Sequence, residues 1–516
     1  MRSSDLLEVF VGLLLGVFVM IVGVLLAMLA NLYVLVTNEL PANNFGLCNG
    51  YRARAHDKPR DPPLTEWLNT YLNQLAGRTV DGPPLTFTDL QNAGINLLMM
   101  TSNLTHGVPH RLPFEDKKFF FDPKEFAQLF PPAVIAYLEQ KNAQYEAQGS
   151  SAVNLPNGDR LWRFPSGDDL PVVVAVRMSL SFPILLSAIP LYTFHKAVTD
   201  AKPIAKRCWF SDGGITSNFP VHFFDSPLPS RPTFAINLVP FEEGETKSTD
   251  ETKNIWMPNN NQGGIKYVWN RFDQSPSGVG QLFGFVAAIF GAAQNWADNI
   301  QLTMPGYRDR IAHVKLEGSE GGLNLNMDET TIKNLSERGQ AAGAELVRRF
   351  TAKEPVKKPK SDKENIADEA EQEELFTLTW LNHRWVRYRA TMASLETYLL
   401  ALREQYTKVP LDGGPTYEAL VGRSPEAAPS SYRLSVEPLK GIDQTRFALE
   451  TTQDLMKLIA GWEGKNHDKN AASFNSGEKV PSPRAALRAQ PGRQARDRKG
   501  APEDTSGSDD ATTGAD

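Results

Sequence analysis

The sequence predicts an α/β fold, a mostly parallel sheet flanked by helices, with a transmembrane helix before it and a helical extension and disordered tail after it. Three observations predict this. Short apolar runs of strand length (PVVVAV at 171–176, CWFS at 208–211, FAINLV at 234–239) alternate with helical periodicity. An uncharged run fills residues 9–36. A repeat of threes and fours marks a long helix after residue 374.

Residues 1–8 form a short flank, with Arg2 beside Asp5 and Glu8. The run Val9–Val36 holds one polar amide, Asn31. As a helix its 28 residues measure about 42 Å, enough to cross a hydrocarbon core of about 30 Å with tilt. Arg52, Arg54, Lys58 and Arg60 follow it, so the positive-inside rule puts the bulk of the chain in the cytoplasm, behind a single pass. The alternative is that the run lies in the membrane interface or covers an apolar groove of the same protein. Gly12 and Gly16 have GxxxG spacing, which permits close helix contact.

Residues 40–350 form the main domain. Residues 41–63 read as loop. Trp67, Leu68, Tyr71, Leu72 and Leu75 predict a helix over 65–77 with Thr65 as N-cap. Pro83-Pro84 is a turn, and Phe87–Leu90 opens a short element. Ile95–Thr101 is a strand and 104–113 a loop, with His106 and His110 as surface residues. Gly107 and Pro109 between those histidines forbid a metal-binding helix. Phe119–Phe121 is a strand, and a helix covers 132–146. Pro171–Val176 reads as a buried strand, because β-branched runs of that length fill parallel sheets. Cys208–Ser211 and Phe234–Val239 are further strands. A helix spans 280–299, a strand 311–316, and a helix 329–350 with Asp328 as its cap.

Residues 351–373 are a charged linker. In the extension 374–464, Leu378, Leu381, Trp385, Tyr388, Met392, Leu395, Leu399 and Leu402 form a seam predicted to pack on a helix over 447–462. Residues 465–516 are polar and predict disorder. A net charge of −6 predicts no nucleic-acid partner. Two cysteines, Cys48 and Cys208, are too few for a disulfide framework or zinc cluster and read as reduced thiols. The pattern calls for no metal and no cofactor.

The chemistry-bearing candidate is Asp212-Gly213-Gly214. The same tripeptide recurs at Asp412-Gly413-Gly414 beside a proline, so it carries no information by itself. Asp212 differs in context. The run CWFS delivers it at a strand end, where open α/β sheets bind ligands, and glycines permit close backbone approach. Trp209 and Phe210 offer an apolar wall that would raise its pKa and make it a better base. Asn218 and Pro220 follow at a spacing that supports the corner.

With that context, VVVAVRMSLSFPILLSAIPLY at 172–192 and WFSDGGITSNFPV at 209–221 resemble the patatin-like phospholipase family. NNFGLCNG, PLTFTDL and MMTSNLTHGVPHRLPF look like a bacterial-type subgroup of it. The resemblance implies a mostly parallel sheet and hydrolysis of acyl esters of membrane lipids. It implies that Asp212 is the basic partner of a serine in a two-residue dyad, with Gly213, Gly214, Asn218 and Pro220 shaping the corner. The sequence departs from the family at the nucleophile. No serine has glycine at both −2 and +2; Ser151 comes nearest, with Gly149 before it but Val153 after it. The glycine-rich oxyanion loop is missing too, so neither acyl-enzyme nor stabilised tetrahedral anion is expected from these residues. Two readings follow. In one, the chain holds the aspartate half of a lipid acyl hydrolase whose serine elbow lies upstream of Met1. In the other, it is an inactive, membrane-anchored lipid-binding or partner protein.

Overall fold

In a computed structural model, the described residues are 3–51, 62–149, 153–154, 160–195, 204–258, 306–351, 379–421 and 444–467, apart from single positions, together with parts of 278–292 and residue 474. The predicted linker 351–373 and tail 465–516 fall almost wholly outside them. The chain divides into two compact units, residues 1–220 with 272–296, and residues 221–271 with 297–516.

The first unit opens on a helix α1 (Ser3–Val34), continued by a wider turn at Leu35–Glu39 and a short α2 (Leu40–Ala42). Within Leu15–Ala42 the most apolar 18-residue window has a mean hydropathy of 2.6, and none of it is buried in protein. The chain therefore has an exposed, N-terminal apolar helix with the length and composition of a membrane anchor or a signal sequence.

Strand β1 (Gly46–Cys48) follows, then α3 (Leu64–Leu75) and α4 (Phe87–Asn92). The cap of α3 is Pro63, so Thr65 is not the predicted N-cap; it lies inside the first turn, fully buried. Thr86 and Asp89 close a capping box on α4. Strands β2 (Met99–Asn103), β3 (Val108–Leu112) and β4 (Phe120–Phe121) are followed by α5 (Pro123–Phe126), α6 (Pro132–Ala147), β5 (Val153–Asn154) and β6 (Arg160–Arg163). Then come α7 (Val172–Ser179), β7 (Ile184–Leu186), β8 (Ile189–His195) and β9 (Ile204–Asp212). Described residues between 278 and 292 are helical, overlapping the helix predicted over 280–299.

The expected parallel sheet is not what forms. The main sheet has seven strands in the order β3-β2-β9-β8-β4-β6-β5, and every pairing in it is antiparallel. Two local misreadings explain the error. Residues 104–113 are no loop: they make the turn and second strand of a β2–β3 hairpin, which must be antiparallel. The β-branched run 171–176 is no strand: Val172–Ser179 is a helix, and Val172, Val173, Val174, Ala175 and Met178 are all buried. A helix apolar on every side and a doubly buried strand carry the same pattern over so few residues. Its neighbours are a phenylalanine-rich core that includes Phe114, Phe121, Phe126, Phe164 and Phe210. In this unit parallel pairing survives in the three-residue ribbon β1–β7.

The second unit contains β10 (Ala235–Pro240), β11 (Ile255–Trp256) and β12 (Ile311–Leu316), in the order β10-β12-β11 with β10 parallel to β12. Helix α8 (Glu329–Thr351) starts where Asp328 accepts the Thr331 N–H at 2.8 Å, as predicted. Helices α9 (Trp380–Thr407), α10 (Tyr417–Val421) and α11 (Gln444–His467) complete it, with α9 touching α11. The predicted seam of α9 is largely turned outward: Leu381, Trp385, Tyr388 and Leu395 are exposed. The inward face keeps Leu399 of that seam with Val386, Ala393 and Tyr406, and adds His383, Arg387 and Glu396. His383 bonds Asp309 at 2.6 Å, and Arg387 shares Asp225 with Arg310. Buried polar groups need such partners, and here the pairs override the apolar pattern.

Candidate functional site

Asp212 ends β9, where Thr101 of β2 lies opposite it. The corner is held from three directions. The Asp212 N–H and the Ser211 hydroxyl both donate to the Ser181 carbonyl, at 3.0 and 2.6 Å. The Thr101 hydroxyl donates to the Ser211 carbonyl at 2.8 Å. Asp212 Oδ1 accepts the Gly214 N–H at 2.7 Å, closing an Asx turn.

Both glycines are there for room. A Cβ on Gly213 would lie 2.3 Å from the Met100 carbonyl oxygen, and one on Gly214 would lie 2.5 Å from Asn218 Oδ1. Asn218 thus packs on the corner. Ser217 Oγ accepts the Phe219 N–H at 3.2 Å, which leads the chain to half-buried Pro220. Gly213, Gly214 and Asn218 are therefore gathered at one turn, and Pro220 follows two residues beyond Asn218.

Burial pushes the Asp212 carboxyl above the ordinary carboxylate range, against the opposing pull of the Gly214 N–H. The predicted wall is half right. Phe210, two residues back on the same face of the strand, is fully buried. Trp209 points to the other face, edge-on to Phe45 with ring centroids 5.1 Å apart. Among the described residues no serine hydroxyl donates to Asp212. The near-miss Ser151 lies outside them.

On that other face lies an apolar groove of about 350 Å³, lined by Phe45, Leu104, Pro183, Ile184, Leu186, Trp209 and their neighbours. The Arg207 guanidinium lies 5.2 Å from the centre of the Trp209 ring that lines it and is ion-paired to Glu125. Groove and aspartate thus share β9 but not a face.

Sequence reasoning missed Arg177, which links the two. It is fully buried, and its described hydrogen-bond partners include no carboxylate. It donates to Ser181 Oγ at 2.6 Å and to the carbonyls of Asn49 and Ser187 at 3.0 and 3.2 Å. Burial pulls its pKa down to about 10, leaving it charged at neutral pH. One guanidinium therefore fixes the Ser181 turn beneath Asp212 and the β1–β7 ribbon at the groove rim. An arginine inside a solidly apolar run (VVVAVRM) was the available signal.

The predicted surface histidines divide. His106 is exposed in the hairpin turn and hydrogen-bonds the Asn103 amide. His110 is not a surface loop residue: it sits on β3 against Phe114, Phe119 and Phe210, and burial pushes its pKa down. Cys48 and Cys208 are both free. His195 and His222 have side chains outside the described set.

No model of a known protein family matches the chain. No solved structure matches it either. A curated relative does. The RpoH suppressor of Rhizobium meliloti (strain 1021) is 35% identical over 494 aligned residues, covering 84% of this chain and 69% of that protein. The chain belongs to the family of that protein.

Proposed function

We propose that the chain is a membrane-anchored, lipid-binding protein of patatin-like descent, single-pass, with its bulk in the cytoplasm. It holds one acyl chain in the groove beside Trp209. The observation that carries this is the groove itself, about 350 Å³ and almost wholly apolar, entered by the chain three residues after the apolar N-terminal helix ends. Pockets of that size and lining suit a hydrocarbon ligand. The basic residues after the helix (Arg52, Arg54, Lys58, Arg60) support the orientation.

Photo-crosslinking tests it. Full-length protein in vesicles containing a phospholipid with a diazirine in its acyl chain should form adducts at 183–188 and at Trp209. Ala188→Trp, which fills the groove, should abolish them. Adducts confined to the helix would refute the groove.

A second reading keeps Asp212 as the base of an acyl hydrolase. Its support is the burial that raises the carboxyl, as a general base requires. Hydrolysis then needs a serine elbow that these 516 residues lack. The reading predicts negligible turnover of p-nitrophenyl esters by this chain, and labelling by a fluorophosphonate probe would reverse that. The relative's name adds a role to the proposal: RpoH suppression is proposed for this chain as well.

A further inference from the structure

The rim of the groove is unusual in both exposure and backbone. Phe45 is 48% exposed, Leu47 50% and Ile184 63%. Phe45 and Ile184 adopt left-handed backbone, with φ of 61° and 68°. For a β-branched residue such as Ile184 that conformation is a genuine outlier, and it persists only where the surroundings impose it. Here the parallel ribbon imposes it: Gly46 pairs with Ile184 and Cys48 with Leu186. The pairing is so close that a Cβ on Gly46 would lie 2.2 Å from the Ser187 nitrogen. Strained backbone thus presents large apolar side chains outward. Folding into a core would require the opposite.

Chain geometry says what they meet. The apolar run ends at Val36, and Thr37, Asn38 and Glu39 follow. From Val36 to Leu40 is at most about 6 Å of helical rise. The Phe45 N–H donates back to the Leu40 carbonyl at 2.6 Å, so Phe45 lies at the level of Leu40. The headgroup layer on each side of a bilayer is about 5–7 Å deep. Tilted by about 40°, the apolar run of about 42 Å spans about 32 Å, close to the hydrocarbon core, and Phe45, and with it the paired Ile184, is then held inside that layer.

We infer that the rim Phe45–Leu47–Ile184 lies in the boundary between headgroups and acyl chains of the bilayer that holds α1, and that the groove takes its acyl chain sideways from that leaflet. This rests on the membrane anchoring proposed above and adds the route of entry. The occupant of the rim is lipid; a second protein copy is the competing cover.

The test uses the full-length protein in phosphatidylcholine vesicles on a Cys48→Ser background. An environment-sensitive dye is attached at Ile184→Cys, at Leu26→Cys in the helix, or at Leu75→Cys, which is 68% exposed elsewhere in the same unit. At position 184 the emission should be blue-shifted, with quenching several-fold stronger from lipids spin-labelled near the headgroup than from aqueous iodide. At position 75 the order should reverse. If position 184 behaves like 75 while 26 stays embedded, lateral entry is wrong and the anchor stands. If 26 is itself open to iodide, anchor and rim both fail. Protection from iodide at 184 without lipid quenching would mean that protein covers the rim, and would overturn the inference.

Discussion

The molecule contains the same tripeptide twice, and the two copies differ in everything except their hydrogen bond. At Asp212 and at Asp412 the aspartate Oδ1 accepts the N–H of the second glycine, at 2.7 and 3.0 Å. At 412 the corner is exposed, and Gly413 is needed for its left-handed φ of 73°, with nothing within 4 Å of where a Cβ would stand. At 212 neither glycine is left-handed; Gly213 is needed because Met100 O is in the way. One glycine answers to backbone conformation, the other to packing. A turn motif acquires a site's character when other segments close around it.

The largest expected effect comes from removing what closes around it. Arg177→Met should cost at least about 3 kcal/mol in chemical denaturation, because it removes three charge-assisted hydrogen bonds and strands their buried acceptors. Among the described residues the Asp412 corner has no counterpart to lose.

Gly213→Ala should cost about 2–3 kcal/mol by overpacking against Met100. Gly413→Ala should cost about 1 kcal/mol from left-handed strain alone. Equal costs in paired melting curves would erase the distinction between packing and conformation.

The smallest effect concerns charge. A carboxyl raised in the fold favours the protonated fold, so its contribution is present at acid pH and is lost as pH rises through the folded value. Asp212→Asn keeps the acceptor for Gly214 without the charge. It should raise the melting temperature slightly at neutral pH and leave it unchanged at pH values where the native carboxyl is protonated. A lower melting temperature at neutral pH would show that the charge is compensated. A small gain from removing the charge is what a residue kept for chemistry or binding displays.

Local features were largely legible in the sequence. The apolar N-terminal helix, the helices at 132–146 and 329–350, the Asp328 cap and the strand ending at Asp212 all follow from short-range pattern. What failed was non-local. Val172–Ser179 is buried all round by elements far away in sequence, so its own letters do not separate helix from strand. The direction of β2 relative to β9 depends on a hairpin whose second strand, with Pro109 and His110, looks like a loop. On α9, partners as distant as Asp225 and Asp309 decide which face turns inward. The corner residues were found, while Arg177 was not, because its three contacts exist only in the assembled fold.

Arg177 also has a consequence for the order of folding. Its bond to the Asn49 carbonyl joins residues 128 positions apart, and the Ser187 hydroxyl reaches Asn43 across 144. Closing loops of that length carries an entropy cost before any contact rewards it. Translation delivers the helix and β1 first, and β1 then waits for the whole hairpin and α6 region before its partner strand exists. Loop-closure cost therefore predicts that the Asp212 corner assembles late in its unit, which refolding rates of Arg177→Met would check.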